Sequence, residues 1–157
     1  MNLLFATILL KVICLSALKQ YMKLISSKYT DAGLNLGLLL LRLMAGATML
    51  VNHGMKKITN FDAISQKGFA DPMGIGVKYS LSLAIFAEVF CAVLLIIGLL
   101  TRLATIPLII VMCVALFIGH KGLVFGEGEP AAIFLTIFIT ILLTGPGKYS
   151  VDKMIGK

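Results

Sequence analysis

The stretch from Leu34 to Val51 is almost wholly apolar, and it carries one charge, Arg42, near its middle. At about 1.5 Å rise per residue, a helix of this length covers most of the roughly 30 Å of a hydrocarbon core. An arginine at that depth costs about 2.5 to 3.5 kcal/mol on insertion scales. Its side chain must therefore face protein, a countercharge or water rather than lipid. Stepping 100° per residue from Arg42, the side chains of Asn35, Gly46, Met49, His53 and Lys56 fall within about 40° of one line. That stripe is the face expected to be buried. Thr48 and Asn52 lie off it; the threonine can bond its own backbone and Asn52 sits at the helix end.

Three more apolar stretches follow, so the spans read as about 34–52, 79–100, 103–119 and 130–144. Hydrophobic residues make up 59% of the chain and charged residues 13%, with a mean hydropathy of +1.03. Soluble domains carry about 25% charged residues. The expected fold class is all-α, an integral membrane four-helix bundle formed by residues 31–157 behind an N-terminal extension, 1–30. The net charge of +7 does not point to nucleic acid, because the lysines are spread along the flanks of the spans and no basic, aromatic-studded face exists. Cys14, Cys91 and Cys113 have no CxxC spacing, which argues against a disulfide framework or a dithiol redox centre. No motif calls for a metal.

Residues 3–18 are apolar apart from Thr7, Lys11 and Ser16. A cleaved signal peptide is disfavoured because Lys11 interrupts the apolar core and no small-x-small site follows. A short extra span is marginal in length. An interfacial helix is favoured, since Lys11, Ser16, Lys19, Gln20 and Lys23 occupy one half of the helical wheel.

The second span also holds one charge, Glu88, near its midpoint, with Ala84, Cys91 and Ala92 on the same face. An Arg42–Glu88 ion pair is the simplest account of both charges, either as a packing device or as a functional group. Between the first two spans, residues 54–78 read as a loop with one short helix, broken at Asp71-Pro72-Met73-Gly74-Ile75-Gly76. Thr101 is the expected N-cap of the third span. Pro107 should loosen or kink that helix unless the helix begins there. Glu129 and Pro130 suit the start of the fourth span. Thr136, Thr140 and Thr144 repeat at four-residue spacing, giving this helix a hydrogen-bonding side as well. Four helices would thus turn polar or small faces to a common interior. Gly145-Pro146-Gly147 ends the last span, and Ser150 is placed to cap a short amphipathic tail. On the side holding both termini lie Lys11, Lys19, Lys23, Lys28, Arg102, Lys148, Lys153 and Lys157; on the other lie Lys56, Lys57, Lys67, Lys78 and Lys121. Eight against five favours both termini in the cytoplasm.

Leu-Leu-Arg-Leu with Gly46, then His53-Gly54-Met55-Lys56-Lys57, Glu88 in AEVFCAVLLIIGLLTR, Glu129-Pro130 and the terminal GPGKYSVDK together resemble the DoxX family of small bacterial four-helix membrane proteins. The likeness runs from about Gly33 to Asp152. By resemblance, Arg42, His53, Lys56, Glu88, Arg102 and Glu129 match the family's polar motif, and Gly46, Gly54, Gly145, Pro146 and Gly147 its glycine and proline positions. The family implies the bacterial inner membrane. Its founding member is similar to a small subunit of a thiosulfate:quinone oxidoreductase, and other relatives are associated with membrane redox complexes.

Two classes of function follow. The first is a small subunit of a quinone-linked membrane redox complex, anchoring a redox protein partner in the lipid. His53, Lys56, His120 and Glu129 fall near the non-cytoplasmic end, where a quinone carbonyl needs hydrogen-bond donors. In the second, the protein is a non-catalytic assembly subunit whose polar faces specify helix contacts. A small-solute transporter is weaker, because no inverted repeat or broken central helix is present. A haem held by His53 and His120 rests on two helix-end histidines alone, and no self-contained catalytic motif marks an enzyme.

Overall fold

The computed structural model describes residues 29–156, of which those in Leu34–Lys157 form one compact unit. The expectations for residues 3–18 and for Cys14 lie outside the described residues. The chain is all-helical, with no strand among the described residues: α1 (Asp31–Thr59), α2 (Phe61–Lys67), α3 (Val77–Ile97), α4 (Thr101–Gly119), α5 (Glu129–Thr144) and a last short helix, α6 (Val151–Met154). Three of them, α1, α3 and α4, are long and apolar enough to cross a membrane. At 16 residues α5 is shorter, about 24 Å. The architecture is a membrane helical bundle.

Burial separates the two faces of each helix. Inside are Ala45, Met49, Ala92, Leu95, Leu108, Leu116, Phe138 and Ile141. Outside are Leu36, Leu40, Met44, Phe90, Phe117 and Leu143, an apolar surface that suits lipid and would be costly in water. Glycines set how α1 and α3 meet. A Cβ on Gly46 would come within 2.6 Å of Ile96, and one on Gly54 within 2.6 Å of Val89 and 2.9 Å of the Glu88 carbonyl oxygen. The two antiparallel helices approach backbone to side chain at both levels.

That register corrects the expected Arg42–Glu88 pair. Gly54 stands level with Glu88, and Arg42 is twelve positions earlier on α1, about 18 Å away along the axis. Both charges are buried, but they do not meet. Their apparent match in depth assumed a first span ending near residue 52, whereas α1 continues to Thr59.

Two further expectations change. Thr101 is the first residue of α4 rather than its cap: Leu100 precedes it, and the helix start is capped by Asp152, whose carboxylate oxygens accept from Leu100 N (2.7 Å) and Thr101 N (2.8 Å). The threonines of α5 do not line the interior. Thr136, Thr140 and Thr144 each donate to the carbonyl four residues back on their own helix, and Thr136 and Thr144 are exposed, while Ala131, Phe138 and Ile141 face inward. A hydroxyl satisfied by its own helix needs no polar neighbour and can face lipid. Ser150 caps α6 as expected, accepting from Lys153 N at 3.2 Å.

Candidate functional site

The three long helices share a departure from regular winding. Met49–Gly54 of α1, Phe86–Cys91 of α3 and Val114–Gly119 of α4 are wound as π-helix. Such wide turns re-aim side chains at the expense of helical regularity and recur at functional sites. Glu88 lies within the second, Lys57 one turn beyond the first, and His120 directly after the third.

Glu88 is 1% exposed, and its carboxylate is held by Lys57, whose Nζ donates to Oε1 at 2.7 Å and to Oε2 at 2.6 Å. This is the one ion pair among the described residues. It forms because α1 runs past its expected end and carries Lys57 to the level of Glu88. The partner is thus Lys57, a lysine expected at the membrane flank, and not Arg42. A carboxylate so deep cannot stay ionised without such a cation.

The pair closes the polar end of a cavity of about 550 Å³. Ala84, Ala87, Pro107, Ile110, Val111 and Val114 make its helical walls, Phe69, Pro72 and Ile75 cover it from the loop, and His120 lines it from the end of α4. Pro107 lies inside α4, which starts at Thr101, so the Leu103 carbonyl lacks its helical donor at this wall. Leu83, Phe86 and Ile110 line the cavity and are also exposed, which puts its mouth on the bundle's apolar outer surface. Ammonium has three donors, and Glu88 takes two. The third is free to serve a ligand oxygen.

The loop is built by Asp71. Its carboxylate accepts from Ser80 Oγ (2.7 Å), Gly76 N (2.7 Å) and Ile75 N (3.2 Å), fixing Asp71–Gly76 against the start of α3. The Ser80 hydroxyl above all, and the backbone N–H groups behind it, hold this carboxyl below the usual aspartate range.

The other residues expected at a quinone site are distributed. His53, half-buried with its ring edge-on to Phe134 at 5.8 Å between centroids, lines a separate cavity together with Lys56. Glu129 is exposed at the start of α5 and lines neither. Cys91 and Cys113 are free thiols, and no group of three metal-binding side chains occurs among the described residues.

Arg42 belongs to the opposite end. It is fully buried, donates through Nη2 to the Tyr149 carbonyl and feels the charge of Asp152. Gly98 (φ 76°) ends α3 directly against it: a Cβ there would overlap the guanidinium. Asp152 N donates to Gly98 O at 2.9 Å, Lys148 N to Asn35 Oδ1 at 2.6 Å, and Gly145 packs near the Arg102 guanidinium. The terminal GPGKYSVDK segment is therefore folded back under the bundle.

The DoxX family model matches residues 37–121, more than half of the chain and both charged spans. The chain belongs to the DoxX family. Among curated relatives of this DoxX protein, the uncharacterized membrane protein Rv3486 of Mycobacterium tuberculosis is 29% identical over 133 residues, covering 74% of this chain and 80% of the relative. The inner membrane protein YqjF of Escherichia coli is 28% identical over 129 residues, covering 78% of this chain and 95% of its own. No solved structure matches the chain. The family match ends at residue 121, so α5 and the folded-back terminal segment lie beyond it.

Proposed function

We propose that this protein is a small subunit of a quinone-linked redox complex in the bacterial inner membrane, with both termini in the cytoplasm. The observation that carries the reading is the apolar cavity of about 550 Å³ ending in the Lys57–Glu88 pair. Its size is that of ligand sites, generally about 300–1,000 Å³ with few polar groups. Its mouth on the outer surface suits a ligand arriving from the lipid.

The residues fit a quinone headgroup. Lys57, with one donor unused by Glu88, would hold a carbonyl oxygen, His120 would face the ring, and the aliphatic walls would hold the ring and the start of its tail. A bound quinone supplies reversible two-electron, two-proton carrier chemistry. Glu88 holds Lys57 in place, and the Phe69–Ile75 cover shields the apolar walls.

The test is binding of a short-tailed quinone to the purified protein in nanodiscs. Saturable binding is expected, and it should be lost in Ala115→Trp, which puts an indole into the cavity from α4. Equal binding by Ala115→Trp and the parent would overturn the site. Purification from native membranes should bring an oxidoreductase partner; a protein isolated with bulk lipid alone would favour a non-catalytic assembly role.

A further inference from the structure

Beside the apolar cavity lies a second of about 370 Å³, of the opposite character. Asn52, His53, Lys56, Lys57, Asn60 and Lys67 line it together with Ala63 and Ile64, and no acidic side chain does. Lys57 is the one residue that lines both cavities. Its carboxylate partner stands on the side of the apolar cavity, so Glu88 offsets Lys57 while Lys56 and Lys67 make no ion pair among the described residues. Asp62, on α2, is exposed and lines neither cavity.

The frame is fixed by the backbone. Asn60 N donates to Lys56 O at 3.2 Å and Ile64 N to Asn60 O at 2.9 Å, so α2 folds directly off the end of α1 and brings Lys67 to the same hollow as Lys56. The Asn60 amide also donates to Lys56 O, at 2.8 Å, and His53 is seated on Phe134. Exposed Met55 and Ile58 flank the site on α1.

We propose that this cavity is an oxyanion site for a phosphate-type group, carried either by a free anion or by a lipid headgroup. Two lysines without a carboxylate, sharing a hollow with an imidazole and the Asn52 amide, suit a compact multivalent anion. The reading does not depend on a quinone in the neighbouring cavity.

The experiment uses the full chain in nanodiscs and follows thermal stability. One arm titrates inorganic phosphate into phosphatidylcholine discs; the other raises the fraction of phosphatidylglycerol without added phosphate. A saturable rise in Tm is expected in one arm, and that arm identifies the source. The double variant Lys56→Gln/Lys67→Gln should weaken the response at least tenfold, whereas Lys148→Gln/Lys153→Gln, at the other end, should leave it unchanged. Chloride at matched ionic strength should not substitute. The proposal is overturned by no saturable response in either arm, by an equal response in the Lys56→Gln/Lys67→Gln variant, or by an equal effect of chloride. Quinone binding is measured on the same discs and should survive in the Gln pair, so the two readings fail separately.

Discussion

The two ends of the bundle handle a buried charge in opposite ways. At one end Glu88 is paired with Lys57 beside a cavity, among π-wound turns. At the other, Arg42 is enclosed by Gly98, the Tyr149 carbonyl and Asp152, and every neighbouring segment is drawn tight. The Lys57–Glu88 pair borders open space, whereas Arg42, whose Nε and Nη1 have no hydrogen-bond partner among the described residues, is closed in by backbone and acts as a fastening.

The largest effect should come from breaking the open end. Lys57→Met leaves an uncompensated buried carboxylate and should destabilise the protein by about 3–5 kcal/mol. Lys57→Met/Glu88→Met removes both charges and should recover most of that loss, as read by thermal unfolding in detergent. If the double variant is no more stable than the single one, the pair is not the unit described.

Next is the closed end. Gly98→Ala forces a side chain into left-handed backbone and into the Arg42 guanidinium, for roughly 2–5 kcal/mol. Quinone binding by whatever fraction remains folded should be unaltered, since the proposed site is at the other end. Asp152→Ala removes the carboxylate cap of α4 together with the charge facing buried Arg42, and should cost at least the roughly 0.5–2 kcal/mol of a helix cap. Hydrogen exchange should then rise first at Leu100 and Thr101.

A smaller effect tests the cover of the cavity. Asp71 has its folded pKa lowered, so its contribution is present above the ordinary carboxylate pKa and fades as pH falls through the folded value. Acidification below pH about 4 should loosen residues 71–80 to proteolysis in the parent. Asp71→Asn should be loose already at neutral pH and lose the pH dependence. The smallest effect belongs to α5: Thr136→Val and Thr144→Val should each change stability by less than about 0.5 kcal/mol, because each hydroxyl bonds only its own helix.

What the sequence determined by itself was the class of molecule and the places of strain. Long apolar runs can satisfy their backbone in lipid only as helices, so the spans, the bundle and the need to compensate Arg42 and Glu88 followed from composition and periodicity. The DoxX motifs carried the family. Even Lys57 left a trace, about 60° from the Arg42 line on a helical wheel. That trace needed α1 to continue past Asn52, and a lysine after an apolar run reads equally well as a membrane flank. The tertiary structure alone decided the partners. Whether two buried charges meet depends on the register between α1 and α3, set by close approach at Gly46 and Gly54 rather than by each charge's place in its own span. The cap of α4 comes from Asp152, some fifty residues away, once the terminal segment folds back. Periodicity fixes which face of a helix is turned inward; only packing fixes what it meets there.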